Sequence, residues 1–470
     1  KGNSWVFLQI LKPIVMKTNS NPSFFERNAV TLKIISIAIL ALILLIPNSM
    51  VQSVIHEREN RRQEAIEDIS AKWGLQQTVT GPVLNIPYYK EYRNSNDKLV
   101  KSKQYFHILP SELDISGQVS PEERHRSIYE AVVYSSDLNI KGQFQIPESA
   151  DFPQDNVTIL WAEAYLSIGL SDIRGLKDEV IVDWSREKRV FEAGVPDTDL
   201  FNSGLHAKTP LLEDSLGLGR KHSFDMNLRF NGSSKLHFTP IGKSTTVQLK
   251  SPWPNPSFDG AYIPDANSVS DSGFDAHWKV LHLNRNYPQW WSNSKHSVRE
   301  SAFGVSMLLP VDVYQKSIRS SKYAILFIGV TFLLFFFIEI LNKKLVHPIQ
   351  YTLVGIALVV FYSLLISLSE HINFDLAYLI ASLAVVLQIS LYSLSILKQK
   401  KLSAIIGSVL GLLYFYIYIL LQLQGYALLM GSVGLFILVA FTMYLSRNVN
   451  WHELGQKKGE GKPMEEGLDV

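Results

Sequence analysis

The apolar residues of this chain are segregated along it. One hydrophobic run covers Ala29–Ile46, nothing comparable follows until Tyr323, and five more runs are complete before Ser446. The later runs are Tyr323–Leu341, Tyr351–Leu368, Phe374–Leu397, Ser403–Leu423 and Tyr426–Leu445. Runs of roughly 17–24 apolar residues are long enough to cross about 30 Å of hydrocarbon as helices. Lipid offers the backbone no hydrogen-bond partner, so each run must satisfy its own N–H and C=O groups internally. The mean hydropathy of the whole chain, +0.07, hides the pattern, because a polar stretch between residues 49 and 320 averages it away. The fold class that follows is membrane α-helical, six spans arranged one plus five, with a large water-exposed domain inserted after the first.

The short loops set an orientation. Lys343, Lys344 and His347 follow the second span, and Lys398, Lys400 and Lys401 follow the fourth. The loop after the third carries Glu370, His371, Asn373 and Asp375 with no Lys or Arg, and Gln424-Gly425 after the fifth is uncharged. Basic loops stay in the cytoplasm, so both termini are expected inside and the inserted domain outside. Arg58, Arg61 and Arg62 dissent, but they are interleaved with acids, and long translocated domains escape the charge rule. The first run is too long for a signal-peptide core, and Pro47-Asn48-Ser49-Met50 is no Ala-x-Ala site, so an uncleaved anchor is expected.

The expected organisation is a cytoplasmic lead at 1–28, a first span at 29–47, a periplasmic β-rich domain with helical tethers at 48–322, a five-helix bundle at 323–446 and a disordered cytoplasmic tail at 447–470. Lys1–Val15 reads as an upstream, non-native extension, with Met16 as the start.

Within the inserted domain, Met50–Trp73 keeps one apolar stripe through a charged sequence, and Gly74 is a natural helix stop. From Thr78 onward the period changes to two. Strand patterns appear at Val157–Leu170, Val180–Trp184, Phe224–Phe230, Lys235–Pro240, Thr245–Leu249 and His277–Leu283, separated by turns such as Asn231-Gly232. Many short strands with close turn signals predict an antiparallel, sandwich-like all-β architecture. Val311–Lys322 has helix character and returns the chain to the second span. With no cysteine in 470 residues the domain has no disulfide, and it is large enough to be stable on core burial.

No catalytic signature emerges. Thiolate zinc sites are excluded. His56-Glu57 begins like a zincin helix, but Asn60 stands where the second histidine must be. Gly217-Leu-Gly219 lacks a third glycine and reads as a turn. The many acids, among them Glu122, Glu123, Asp172, Asp178, Glu179 and Asp183, could supply a glycosidase pair, yet on a sheet surface such groups are ordinarily solubilising. Trp253, Trp278, Trp290 and Trp291 are the distinctive aromatic set. They read either as platforms for sugars or a membrane surface, or as core tryptophans under a proline-fixed loop. No cofactor, no metal and no nucleic-acid partner is expected.

Polar residues inside a membrane are functional candidates by default. Glu339 lies near the end of the second span, close to Lys343. Glu370 and His371 sit at the mouth of the third, Gln388 near the middle of the fourth, and Gln422 and Gln424 close the fifth. Lys33 is placed to snorkel. Gly407-Ser-Val-Leu-Gly411 is a small-residue packing motif, for contact within the bundle or for a homo-oligomer.

Several stretches resemble the CreD family, bacterial inner-membrane proteins described as cell-envelope integrity proteins. They are Ile55-His-Glu-Arg-Glu59, Gly81-Pro-Val-Leu84, Phe303-Gly-Val-Ser306 and Pro310-Val-Asp-Val-Tyr-Gln-Lys316. Glu339-Ile-Leu-Asn-Lys343, His347-Pro-Ile-Gln-Tyr351, Ser367-Leu-Ser-Glu-His371 and Asp375-Leu-Ala-Tyr-Leu-Ile-Ala-Ser382 continue the likeness, which covers Asn21–Trp451. The resemblance implies an inner-membrane location, induction by a two-component stress system, and a role in envelope integrity and tolerance of envelope-targeting agents. It carries no catalytic residues. The readings that remain are a non-enzymatic envelope-supporting or envelope-sensing protein, with membrane lipids and an envelope protein as partners, a transporter or channel through the bundle, and a periplasmic glycan- or lipid-modifying enzyme.

Overall fold

In the computed structural model, the described residues are 29–93, 98–148, 151–152, 156–211, 220–292, 296–307, 309, 313–342, 344–423, 426–447 and 449. Lys1–Val15, Met16, the turn at Gly217-Leu-Gly219, Lys343, Gln424, Gly425 and almost all of the tail lie outside them. The chain divides into two compact units, residues 1–57 with 313–470, and residues 58–312.

The helical unit follows from the apolar runs. Its helices begin with α1 (Ala29–Ile43) and α2 (Leu45–Trp73), which continues into the second unit's residues. After α3 (Val313–Lys322) and α4 (Ala324–Asn342) come α5 (Pro348–Ser369), α6 (Phe374–Leu397), α7 (Lys400–Gln422) and α8 (Ala427–Ser446). Among the described residues, six helical stretches are long and apolar enough to cross a membrane. Pro47, at the edge of the expected first span, sits in the first turn of α2, where its missing N–H is not needed. Gly74 then ends α2 with φ +152°, and a Cβ there would meet Asn231 O at 2.6 Å.

Local capping sets the helix starts. His347 Nδ1 accepts from Ile349 N–H (3.3 Å), the Gln350 side chain accepts from His347 N–H (2.9 Å), and Pro348 opens α5. Asn373 Oδ1 accepts from Leu376 N–H at 2.9 Å to start α6. The bundle core is aromatic: Phe327, Phe361 and Tyr414 pack at tilted and edge-on angles with centroids 4.4–6.3 Å apart, and Tyr378 donates its hydroxyl to Tyr414 O at 2.8 Å. Large apolar residues such as Leu387, Leu412 and Phe415 face outward, as lipid-facing positions do. α8 is peripheral, held to α7 by the Tyr416 hydroxyl, which donates to Met430 O beneath Gly434.

The second unit is β-rich, with one sheet of ten strands and one of eight among the described residues. In the first, Gln77–Arg93 is central and buried over most of its length, flanked by Leu99–Ile108 and Tyr165–Leu170, both antiparallel. The second is dominated by Glu112–Arg126 and Tyr129–Gln145, a hairpin in full register, with Lys221–Ser233 alongside. Strict alternation along Lys221–Phe230 sends Phe224, Met226, Leu228 and Phe230 inward and Asp225, Asn227 and Arg229 to solvent.

The antiparallel expectation needs one amendment, because two pairings are parallel, Gln77–Val79 with Leu236–Phe238 and Ser244–Lys250 with Glu112–Gln118. The run Val157–Leu170 is also not one strand. A short strand at Val157–Ile159 and a 3-10 turn at Trp161–Glu163 precede Tyr165–Leu170.

Candidate functional site

Three helix ends meet at one pole of the bundle. Lys33 near the start of α1, Glu339 near the end of α4 and Tyr351 in the first turn of α5 form a polar cluster. The ammonium of Lys33 is ion-paired with the Glu339 carboxylate and also donates to Val346 O at 3.1 Å. Tyr351 donates to the second Glu339 oxygen at 3.2 Å. The Glu339 side chain is 7% exposed and that of Lys33 25%, so a charge that would be costly alone is neutralised where it is buried. The sequence placed Glu339 beside Lys343 and sent Lys33 to the surface. The tertiary structure pairs Lys33 and Glu339 with each other.

The opposite pole gathers Glu370, His371 and Gln422. Tyr314 of α3 donates to Glu370 at 3.2 Å, and Gln422 at the end of α7 donates to Asp375 at 2.8 Å. Lys316 reaches Gln422 Oε1 (3.3 Å) and lies over the Phe374 ring. His371 is exposed beside them. Gln388 faces outward from α6 and so joins neither cluster. Gly407 is used inside the chain, since a Cβ there would meet Ser390 Oγ at 2.5 Å, whereas Gly411 has open space beside it.

In the β unit, Trp253, Trp278 and Trp291 belong to the hydrophobic core. Trp278 is 1% exposed and packs edge-on against Phe258 and at a tilt against Phe303. Trp253 donates its indole N–H to Asn255 O at 3.1 Å. Only Trp290 of the four, at 38% exposure, offers a face to solvent, so they do not form a shared platform. Three of the six acids named from sequence pair with neighbouring bases: Glu122 with Arg124, Asp172 with Arg174, and Asp178 with Arg229.

A further cluster escaped the sequence. Strand Leu99–Ile108 buries His107 completely, and the loop before Gly204 brings Asp197 and Asp199 to it. His107 Nδ1 lies 2.7 Å from Asn85 Oδ1, and Nε2 lies 3.5 Å from Asp199 Oδ2. Burial pushes the imidazole pKa down, against the pull of Asp197 and Asp199. Tyr165 donates to Asp197 at 2.6 Å, and burial holds its own hydroxyl far above the usual range. A cavity of about 540 Å³ opens alongside, lined by Asp199, Phe201, His296, Arg299 and Thr80 among others. The one sequence signal was Asp197-Thr-Asp199, too common to single out without its partner 90 residues away.

A bundle of six candidate spans with a large two-sheet β unit between the first span and the rest defines a multi-pass membrane protein. The family model for the inner membrane protein CreD matches residues 29–452. The chain is also 34% identical over 424 residues to the inner membrane protein CreD of Escherichia coli (strain K12), covering 89% of this chain and 92% of that protein. The chain belongs to the CreD family of inner membrane proteins.

Proposed function

We propose that this protein supports or senses cell-envelope integrity under stress, without catalysis, through a β unit on the periplasmic side of the inner membrane. The observation that carries the reading is the insertion of a large two-sheet unit between the first span and the other five, in a chain of the CreD family. One helix, α2, carries residues of both units. Both termini are cytoplasmic in this reading, and envelope lipids and a periplasmic or envelope protein are the partners. Self-association would use the open face at Gly411. Deleting the gene should raise sensitivity to detergents and envelope-directed agents, and expression of the full chain should restore tolerance. Unchanged sensitivity would sink the proposal. Reporter fusions at His371 and Lys400 should report opposite sides of the membrane, with Lys400 cytoplasmic.

The Lys33–Glu339–Tyr351 cluster favours a second reading, transport through the bundle, because buried charge within spans commonly lines a path. Substituting Glu339, Glu370, His371 and Gln388 without change in phenotype or flux would count against it.

A further inference from the structure

The His107 cluster has features that a plain hydrogen-bonded core histidine lacks. Its tautomer is fixed by a chain of contacts. Asn85 Nδ2 donates to Val83 O (3.1 Å) and to Ser167 Oγ (2.7 Å), and a carbonyl can only accept. Asn85 Oδ1 therefore faces His107, and Nδ1 carries the proton it accepts. In the neutral ring the lone pair then sits on Nε2, which is fully buried and has no hydrogen-bond partner among the described residues. That lone pair faces the Asp199 carboxylate, and the repulsion is relieved by a proton on Nε2 or by a metal cation between them.

The spacing suits such a cation. One donor atom from each of His107, Asp197 and Asp199 lies within 4.8 Å of the others. The 3.5 Å from Nε2 to Asp199 Oδ2 is too long for a good hydrogen bond. Two ligands each about 2.0–2.1 Å from a tetrahedral ion stand about 3.4 Å apart. The outer contacts are also of the kind that orient ligands: Asn85 behind the imidazole, and Tyr165 Oη and Asp199 N–H on the two oxygens of Asp197.

We propose that His107 Nε2, Asp197 and Asp199 bind a divalent transition-metal ion of the zinc class, with its fourth position toward the adjoining cavity. An imidazole with two carboxylates suits zinc better than calcium or magnesium, which favour all-oxygen sets. The ion would clasp the loop carrying the two aspartates to strand Leu99–Ile108, so loading stiffens the β unit. The proposal is independent of the envelope role.

Full-length protein in detergent, stripped with EDTA and dialysed, is titrated with Zn²⁺ alone by calorimetry, and bound metal is counted by mass spectrometry. One ion per chain is expected, with affinity falling at least tenfold in Asp199→Asn and in Asp197→Asn. Both aspartates are partly exposed, so these variants should keep the wild-type β circular-dichroism signal; the fully buried His107 is a poorer site for substitution. Asn85→Leu, which frees the imidazole tautomer, should weaken binding by tenfold or more. No uptake by the wild type, or uptake undiminished in Asp199→Asn, overturns the site. Ca²⁺ binding in preference to Zn²⁺ overturns the ion class.

Discussion

In the helical unit the buried carboxylate of Glu339 finds its cation 306 residues away in Lys33, whereas the buried guanidinium of Arg285 in the β unit finds mostly nearby carbonyls. Arg285 donates to the carbonyls of Tyr287 (2.7 Å) and Ile241 (3.1 Å) and to Gln289 Oε1 (2.6 Å). The difference has a backbone cause. A helix spends its carbonyls on its own ladder, so a charge between helices needs another side chain. The exception confirms the cause, because the one carbonyl Lys33 reaches, Val346 O, lies in the connection before α5. Loops between strands leave carbonyls free, and the β unit uses them.

The strongest way to break this comparison is in the cores. Trp278→Ala should cost about 3–5 kcal/mol by removing a fully buried ring, read as a lower denaturant midpoint of the β circular-dichroism signal. Phe436→Ala in α8, where the ring is 74% exposed, should change detergent stability by less than about 0.5 kcal/mol. A large loss there would mean that another molecule covers α8.

Next comes the ion pair. Lys33→Met should cost about 2–3 kcal/mol, because it strands the buried Glu339 carboxylate. Lys33→Met with Glu339→Leu should recover most of that loss in a thermal melt. If the double variant stays as unstable as the single, the cluster does more than neutralise charge.

Acid should separate the units further. Burial pushes the imidazoles of His222 and His237 down, with Arg220 reinforcing the shift at His222 and the Asp259 hydrogen bond opposing it at His237. The unfolded chain then takes up protons first, near pH 6.5. Stability from these groups is complete above that pH and is lost as pH falls toward the folded values, at up to about 1.4 kcal/mol per pH unit per proton. Unfolding of the β unit at pH 7.5, 6.5 and 5.5 measures it. His222→Phe keeps a ring stacked on Trp184, 5.3 Å away, and should flatten the slope. The smallest effect is expected at the exposed Lys103–Glu163 pair, where Glu163→Gln should shift stability by less than about 0.5 kcal/mol.

The spans were legible because lipid forces each to be a continuous apolar helix, and α4 to α8 begin and end within a few residues of the runs. Strands such as Lys221–Ser233 were legible through alternation. The hairpin Glu112–Arg126 with Tyr129–Gln145 was not read from the sequence, since Glu122–Arg126 at the far end of its first strand is exposed on both faces. Among the candidate site residues, Glu339 was legible as a polar intruder in a span. Its partner Lys33 was visible but not its pairing. His107 was invisible as a candidate, because one histidine near the end of a strand carries no local sign of two aspartates arriving from a distant loop.

By itself the sequence determined the one-plus-five spans, the β character of the insert and the family, all properties of local composition, period and ordered likeness. The tertiary structure alone decided which distant groups meet: Lys33 with Glu339, the two parallel strand pairs, three buried tryptophans, and His107 facing Asp197 and Asp199. Those meetings depend on how separate elements pack, and hydrophobic periodicity specifies which face of an element is buried, not which polar neighbour it will find there.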